Sequence, residues 1–459
     1  MNRPSPRDVG DILTLGFAIT VAMWIVAYLS HLPGLGAPAP VVFALLMACL
    51  LGGGWIAGRA SSRGVRAGWL AGGLCGLLNL LVLGGALRRA DGTMLPWATL
   101  WAPASILIAA AVAGVGAALG GREANRNGVH GHTPAMEARN WPAAFCTVAL
   151  VVTLALLSVG GVVTGYQAGL AVPDWPNSYG YGMFLYPLSR MTGGIYYEHA
   201  HRLFGSLLGL TTLTLCAYLL LAERRGYVKL LGVAALVLVI GQGVLGGLRV
   251  TGKLTLSQDA RQLAPNLALA AVHGVTAQVF FSLLAALRVV LGRTWREFEL
   301  DRNAGPRAAA DLALGLASSV LVLSQITFGA LLRHFDWGLH LHITLAVVVL
   351  IAVGAFAIRT SAAADDFPAL RRIGRALTIA LGAQFMLGFA SLGVTSLDPS
   401  RESPGPLRVL VTTLHQSTGA VLLATTVATL VLRSRLRPRP VRSNAKSEFA
   451  GSASLGVGG

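Results

Sequence analysis

Glu198-His199-Ala200-His201-Arg202, followed by the uncharged run LFGSLLGLTTLTLCAYLLL over residues 203–221, carries the reading of this chain. The run is 19 residues long, close to the ~20 apolar residues that take a helix across a bilayer. Glu198 and His201 stand three apart and share one helical face. An acid and an imidazole at the mouth of such a run are a functional feature, because polar groups at membrane depth are costly without partners.

The pattern recurs down the chain. His201 and His273 are 72 residues apart, and His342 and His415 are 73 apart, each histidine flanked by long uncharged stretches. Gln242 and Gln384 each open a Gln-x-x-x-Gly motif, ending at Gly246 and Gly388, and each precedes the second histidine of its pair by 31 residues. A third copy, Gln325 to Gly329, precedes His342, while the stretch before His201 carries only Gly160 and Gly161. The second histidines open His273-Gly-Val-Thr276-Ala277 and His415-Gln-Ser-Thr418-Gly419. Matching spacing in matching context predicts a duplicated four-helix unit with two metal or haem sites.

Composition bounds the fold class. A chain of 459 residues that is 54% hydrophobic and 12% charged, with a mean hydropathy of +0.65, is not a soluble globular protein. We expect an all-α polytopic membrane protein with spans near 11–30, 39–57, 67–87, 98–119, 143–165, 202–221, 229–248, 266–291, 309–332, 340–358, 373–394 and 408–432. The net charge of +17 is concentrated in alternate loops, as at Arg59, Arg63 and Arg66, Arg224 and Arg225, Arg371 and Arg372, and the tail from Arg433. That is the positive-inside pattern; it places both termini in the cytoplasm, the four histidines toward the outer face, and argues against nucleic acid, which needs a basic face on a folded domain. In a bacterial cell the expected location is the inner membrane. Cys49, Cys75, Cys146 and Cys216 all fall inside spans with no CxxC or CxxCH, against disulfides, zinc clusters and covalent haem. The first apolar run lacks a small-residue cleavage site and is read as a retained span.

The repeat begins near residue 143. Residues 1–120 then form a separate four-helix membrane region of unknown role, 121–142 a polar linker, 143–291 and 309–432 the two four-helix halves of an eight-helix core, and 433–459 a disordered basic tail. His130 and His132, in the linker, are read as solvated.

Glu-x-x-His-Arg at a helix start, after the loop Pro173-Asp174-Trp175-Pro176 and with single histidines on later alternate spans of a duplicated bundle, resembles the haem A synthase family over about residues 143–432. The resemblance implies an enzyme that oxidises the C8 methyl of haem O to a formyl group, making haem A for terminal oxidases. It implies haem O held in the first half by His201 and His273, haem b as cofactor in the second half on His342 and His415, and Glu198 as the essential acid. The partners implied are haem O, the membrane, a haem O synthase, a quinone or other electron acceptor, and a second copy of the chain. Asn177 and Ser178 stand where many members have Leu and Cys, which excludes a cysteine-dependent step in that loop.

The residues support this chemistry independently. Two neutral histidines on facing helices of a four-helix unit suit bis-imidazole haem, and Arg202, Arg249 and Arg333 sit near the same face as candidate propionate partners or interfacial anchors. His340 and His334 compete with His342 for its role. His199 points away from Glu198 and is read as interfacial, and Gln242, Gln325 and Gln384 as helix-packing residues. Asp174 and Trp175 are either a lid or a turn with an aromatic anchor. The competing function is a non-catalytic di-haem b-type electron carrier, and Glu198 discriminates, since a carrier has no use for an acid one turn from a ligand. A transporter is disfavoured by histidines confined to one face.

Overall fold

The computed structural model describes residues 9–126, 140–251, 267–297, 306–362, 368–398, 400 and 403–435; His130, His132 and the tail beyond Arg435 lie outside the described residues. Twelve helices are long and apolar enough to cross a membrane. They are α1 Gly10–Ser30, α2 Ala39–Ala60, α3 Val65–Ala86, α4 Ala98–Arg126, α5 Trp141–Gly165, α6 Gly193–Ala222, α7 Gly226–Thr251, α8 Leu267–Leu291, α9 Pro306–Phe335, α10 Leu339–Ala362, α11 Pro368–Leu397 and α12 Pro406–Arg435. The chain is an all-α polytopic membrane protein, with no strand among the described residues. Helices dominate because a backbone in lipid must satisfy its own hydrogen bonds.

One boundary departs from expectation in a way that matters. The apolar run predicts a span from residue 202, but α6 begins at Gly193. Tyr196, Tyr197, Glu198 and His199 depress the hydropathy of this turn, yet all four are buried by neighbouring elements. Tertiary burial, rather than bilayer hydropathy, sets the start of α6.

The helices close three rings. In the first, α1 meets α2 and α3, and both meet α4. There α2, α3 and α4 pack backbone to backbone through small residues, with Gly54 and Gly58 under the carbonyls of Ala113 and Ala117, and Gly116 and Gly120 under those of Leu51 and Trp55. The second ring runs α5–α6–α7–α8 and back to α5; the third runs α9–α10–α11–α12 and back to α9. The two share the same order of contacts. They join along α12, which lies against α5 and α8, where Ser158 Oγ is 3.0 Å from Ser417 Oγ and Leu157, Phe281, Ala420 and Ala424 form a small core.

Although a polar linker separates 1–120 from the rest, the largest core runs across it. Phe17, Val21 and Trp24 of α1 and Leu78 of α3 pack with Phe145, Phe204, Leu207 and Phe280 of the second ring. Ring pairs fix the docking: Phe17 with Phe145 at 5.3 Å, Trp24 edge-on to Phe204 at 5.8 Å, and Tyr28 stacked on Tyr196 at 5.5 Å. At the end opposite the histidines, Asp311 of α9 accepts from Arg359 Nε of α10 at 2.5 Å and from Arg433 of α12, tying three helices of the third ring with one buried carboxylate.

Candidate functional site

Each of the four expected histidines sits on an even-numbered helix of the second or third ring, within three turns of one end. His201 and His273 face each other across the second ring with ring centres 6.4 Å apart at 76°. His342 and His415 do the same across the third, at 6.4 Å and 83°. His340, two residues from His342, is exposed.

Behind each imidazole lies a glycine of the preceding odd-numbered helix. A Cβ built on Gly160 would meet His201 at 3.0 Å, on Gly329 His342 at 3.1 Å, on Gly388 His415 at 3.3 Å, and on Gly246 His273 at 3.7 Å. This explains the glycine of the Gln-x-x-x-Gly repeat: its missing side chain leaves room for the ring edge. The glutamine bridges the same helix pair, as expected. Gln242 Nε2 donates to Thr276 Oγ1 at 2.6 Å, Gln325 Nε2 to the His342 carbonyl at 2.9 Å, and Gln384 packs on Gly419.

The residues fit a haem. Two imidazoles on one metal, each at about 2.0 Å with roughly 1.1 Å from nitrogen to ring centre, would place the centres about 6.2 Å apart, and both pairs stand at 6.4 Å. Among the described residues no cluster of three or more His, Cys, Asp or Glu could hold a metal; each histidine pair offers two imidazoles, the number a bis-imidazole haem would take from the protein. Each Nδ1 is buried without a hydrogen-bond partner, and those of His201, His342 and His415 lie on the glycine side; Nε2 is the nitrogen that would meet a metal.

Glu198, at the mouth of the apolar run, is buried by its neighbours. It is 5% exposed, in the second turn of α6, and its Oε1 accepts from Arg202 Nε at 3.1 Å. Arg202 in turn latches the 166–192 loop: NH1 donates to the carbonyls of Asp174 at 2.6 Å and Asn177 at 2.9 Å, and NH2 to Val172 at 2.7 Å. With four donor hydrogens engaged by protein oxygens, Arg202 is a poor partner for a propionate, contrary to its expected role. Arg249 remains available. Its guanidinium lies over Gly169, its Nε is buried without a hydrogen-bond partner, and it is within electrostatic reach of Glu198, His201, His273 and His334. Arg333 is the chain neighbour of His334, which Arg249 also influences.

His199 is not interfacial. It is 0% exposed, its Nδ1 is 3.1 Å from Ser178 Oγ, and its ring lies 5.0 Å from that of Tyr186. The loop above it is ordered by Asp174, whose carboxylate accepts from the N–H groups of Tyr179 at 2.7 Å and Gly180 at 2.8 Å. Partial burial works to raise this carboxyl, but those N–H groups and Arg202 leave it below the ordinary carboxylate range. Trp175 lies against Gly247 of α7, one residue from the glycine beneath His273. Asp174 is thus the turn former, and Trp175 packs the loop onto α7. Sequence reasoning missed the burial of Glu198 and His199 and the latch made by Arg202; the one available signal was the proline-bounded turn Pro173-Asp174-Trp175-Pro176, whose backbone carbonyls have no helix or strand partners, ahead of an arginine that closes the motif.

The described cysteines are free, as their placement in spans predicts. Residues 143–344 match the COX15-CtaA family model, described as cytochrome oxidase assembly protein. A search of curated proteins finds no match. The matched segment holds Glu198, His201, His273 and His342 in the arrangement just described, and this part of the chain is similar to the COX15-CtaA cytochrome oxidase assembly proteins.

Proposed function

We propose that this chain is a cytochrome oxidase assembly protein and an oxidoreductase of the haem A synthase kind, which oxidises the C8 methyl of haem O to a formyl group. The observation that carries the reading is Glu198: a buried carboxylate, held by Arg202, one turn from a histidine pair whose separation suits a haem. An electron carrier accounts for both histidine pairs but not for an acid kept in a buried ion pair.

In this reading His342 and His415 hold haem b and His201 and His273 hold the substrate, haem O. Haem b, when bound, supplies one-electron redox chemistry. The overall change removes electrons and protons from the methyl and adds an oxygen from water, with the electrons leaving to a quinone or other acceptor. The chain's own part is positional and electrostatic. The His201–His273 pair fixes the plane of the substrate, and Arg249 offers its unpartnered Nε–H to a propionate. Glu198 sets a negative charge where positive charge develops at the methyl carbon, or takes a proton from the water that supplies the oxygen. Arg202 holds that carboxylate in place, and Trp175, packed on Gly247, limits water above the ring. The same reading assigns the chain to the inner membrane with both termini cytoplasmic, and gives it a haem O synthase and a second copy of itself as candidate partners.

The test is loss of single ligands in protein produced with a haem O supply. His342→Ala or His415→Ala should strip the haem b spectrum. His201→Ala or His273→Ala should spare it and abolish product. A haem b spectrum lost equally from all four variants, with no product from the parent protein, would favour the di-haem carrier.

A further inference from the structure

The N-terminal ring touches the 166–192 loop as well as the core. The end of α3 lies under two short helical turns of the loop: a Cβ on Gly84 would meet the Phe184 carbonyl at 2.9 Å, and one on Gly85 would overlap the Tyr186 carbonyl. Beyond α3, Arg190 Nε donates to the Ala90 carbonyl at 2.5 Å, and Gly92 sits directly against the Tyr181 hydroxyl. Two guanidinium groups meet the Tyr181 ring, Arg88 from the N-terminal part of the chain and Arg190 from the loop, each 5.7 Å from its centre. From these contacts the path to the site is short. Tyr186 packs against Tyr179, Tyr181 and His199, and His199 is the neighbour of Glu198.

We propose that the N-terminal ring is a strut for the outer loop, with Gly85 and the Arg88–Tyr181–Arg190 stack as positioning contacts that keep the loop seated over the His201–His273 pair. This rests on the reading of that pair as the substrate site, but the strut itself is a statement about the loop. Nothing in the family-matched segment requires it, since Gly85 and Arg88 lie outside residues 143–344. An unsupported loop of this length would sample open states on its own.

The test is hydrogen–deuterium exchange on the full chain in nanodiscs, with conversion of haem O measured on the same samples. Tyr181→Ala removes the stack without adding bulk; Gly85→Val pushes on Tyr186 from the N-terminal side. Both should speed exchange at Tyr179 and Gly180, whose N–H groups bind Asp174, by about tenfold, the size expected for losing two exposed cation–π contacts. Exchange in α10 and α12, and the haem b spectrum, should stay unchanged, which separates loosening of the loop from misfolding. Haem O conversion should fall with the loosening, chiefly through a raised KM. Unchanged exchange in both variants overturns the strut whatever the reaction is. Faster exchange with KM and kcat unaltered overturns its positioning role. A parent protein without conversion, but with loop exchange that responds to both variants, overturns the functional reading and leaves the strut standing.

Discussion

At Glu198 two demands compete. A buried carboxylate is expensive unless paired, and one paired too tightly is inert; here one oxygen is held by Arg202 while Arg249 stands within reach without a bond to it. Glu198→Gln keeps the shape and removes the charge, and conversion should fall by ~10²–10⁴ while the haem b spectrum is retained. Because Arg202 would keep three carbonyl acceptors, Glu198→Ala should cost about 2–3 kcal/mol in thermal unfolding, more than an exposed acid would. A Glu198→Gln protein that still converts haem O at near-normal rate removes the catalytic role. Asp174 gives a pH dependence. Its carboxyl is held below the unfolded value, so its tether is complete above the ordinary aspartate range and is lost as pH falls through the depressed value. Exchange at Tyr179 and Gly180 should therefore quicken only on acidification below that range; a rise between neutral pH and mildly acidic pH would point to another group.

Between elements, the repeated contact is an imidazole on a glycine of the helix before it. Gly329→Ala places a methyl 3.1 Å from His342 and should cost about 1–3 kcal/mol by overpacking, with haem b content reduced. Gly246→Ala, at 3.7 Å from His273, is an ordinary contact and should be tolerated. Haem-to-protein ratios of the purified variants check both; equal loss from the two would mean the glycines serve helix packing alone. The spacing of the histidines and the Gln-x-x-x-Gly repeat were legible in the sequence because duplication preserves register. So were the spans, because bilayer thickness fixes their length. The start of α6 was not, because Tyr196 to His199 are polar or amphipathic in sequence and are buried by tertiary contacts with α1, the end of α5 and the loop. For the same reason the burial of Glu198 and His199, and the engagement of Arg202 by loop carbonyls, could not be seen: each depends on a loop whose path has no periodicity.

For the whole molecule, the polar linker marks a boundary in sequence but not in packing. Removing residues 1–139 would uncover Phe145, Phe204 and Tyr196, which now face Phe17, Trp24 and Tyr28. The second ring should then lose stability, read as a lower unfolding temperature and loss of haem O conversion. The third ring, with its own core around Val353 and Phe356, should keep its haem b spectrum. Loss of both together would mean that the rings fold as one unit. Above all of these stands the identity of the pigment. Protein produced with a haem O supply should yield haem A, or its alcohol intermediate, when the extracted pigment is separated by chromatography. Recovery of haem b alone, with haem O returned unchanged, would contradict an oxidase and leave a two-haem electron carrier.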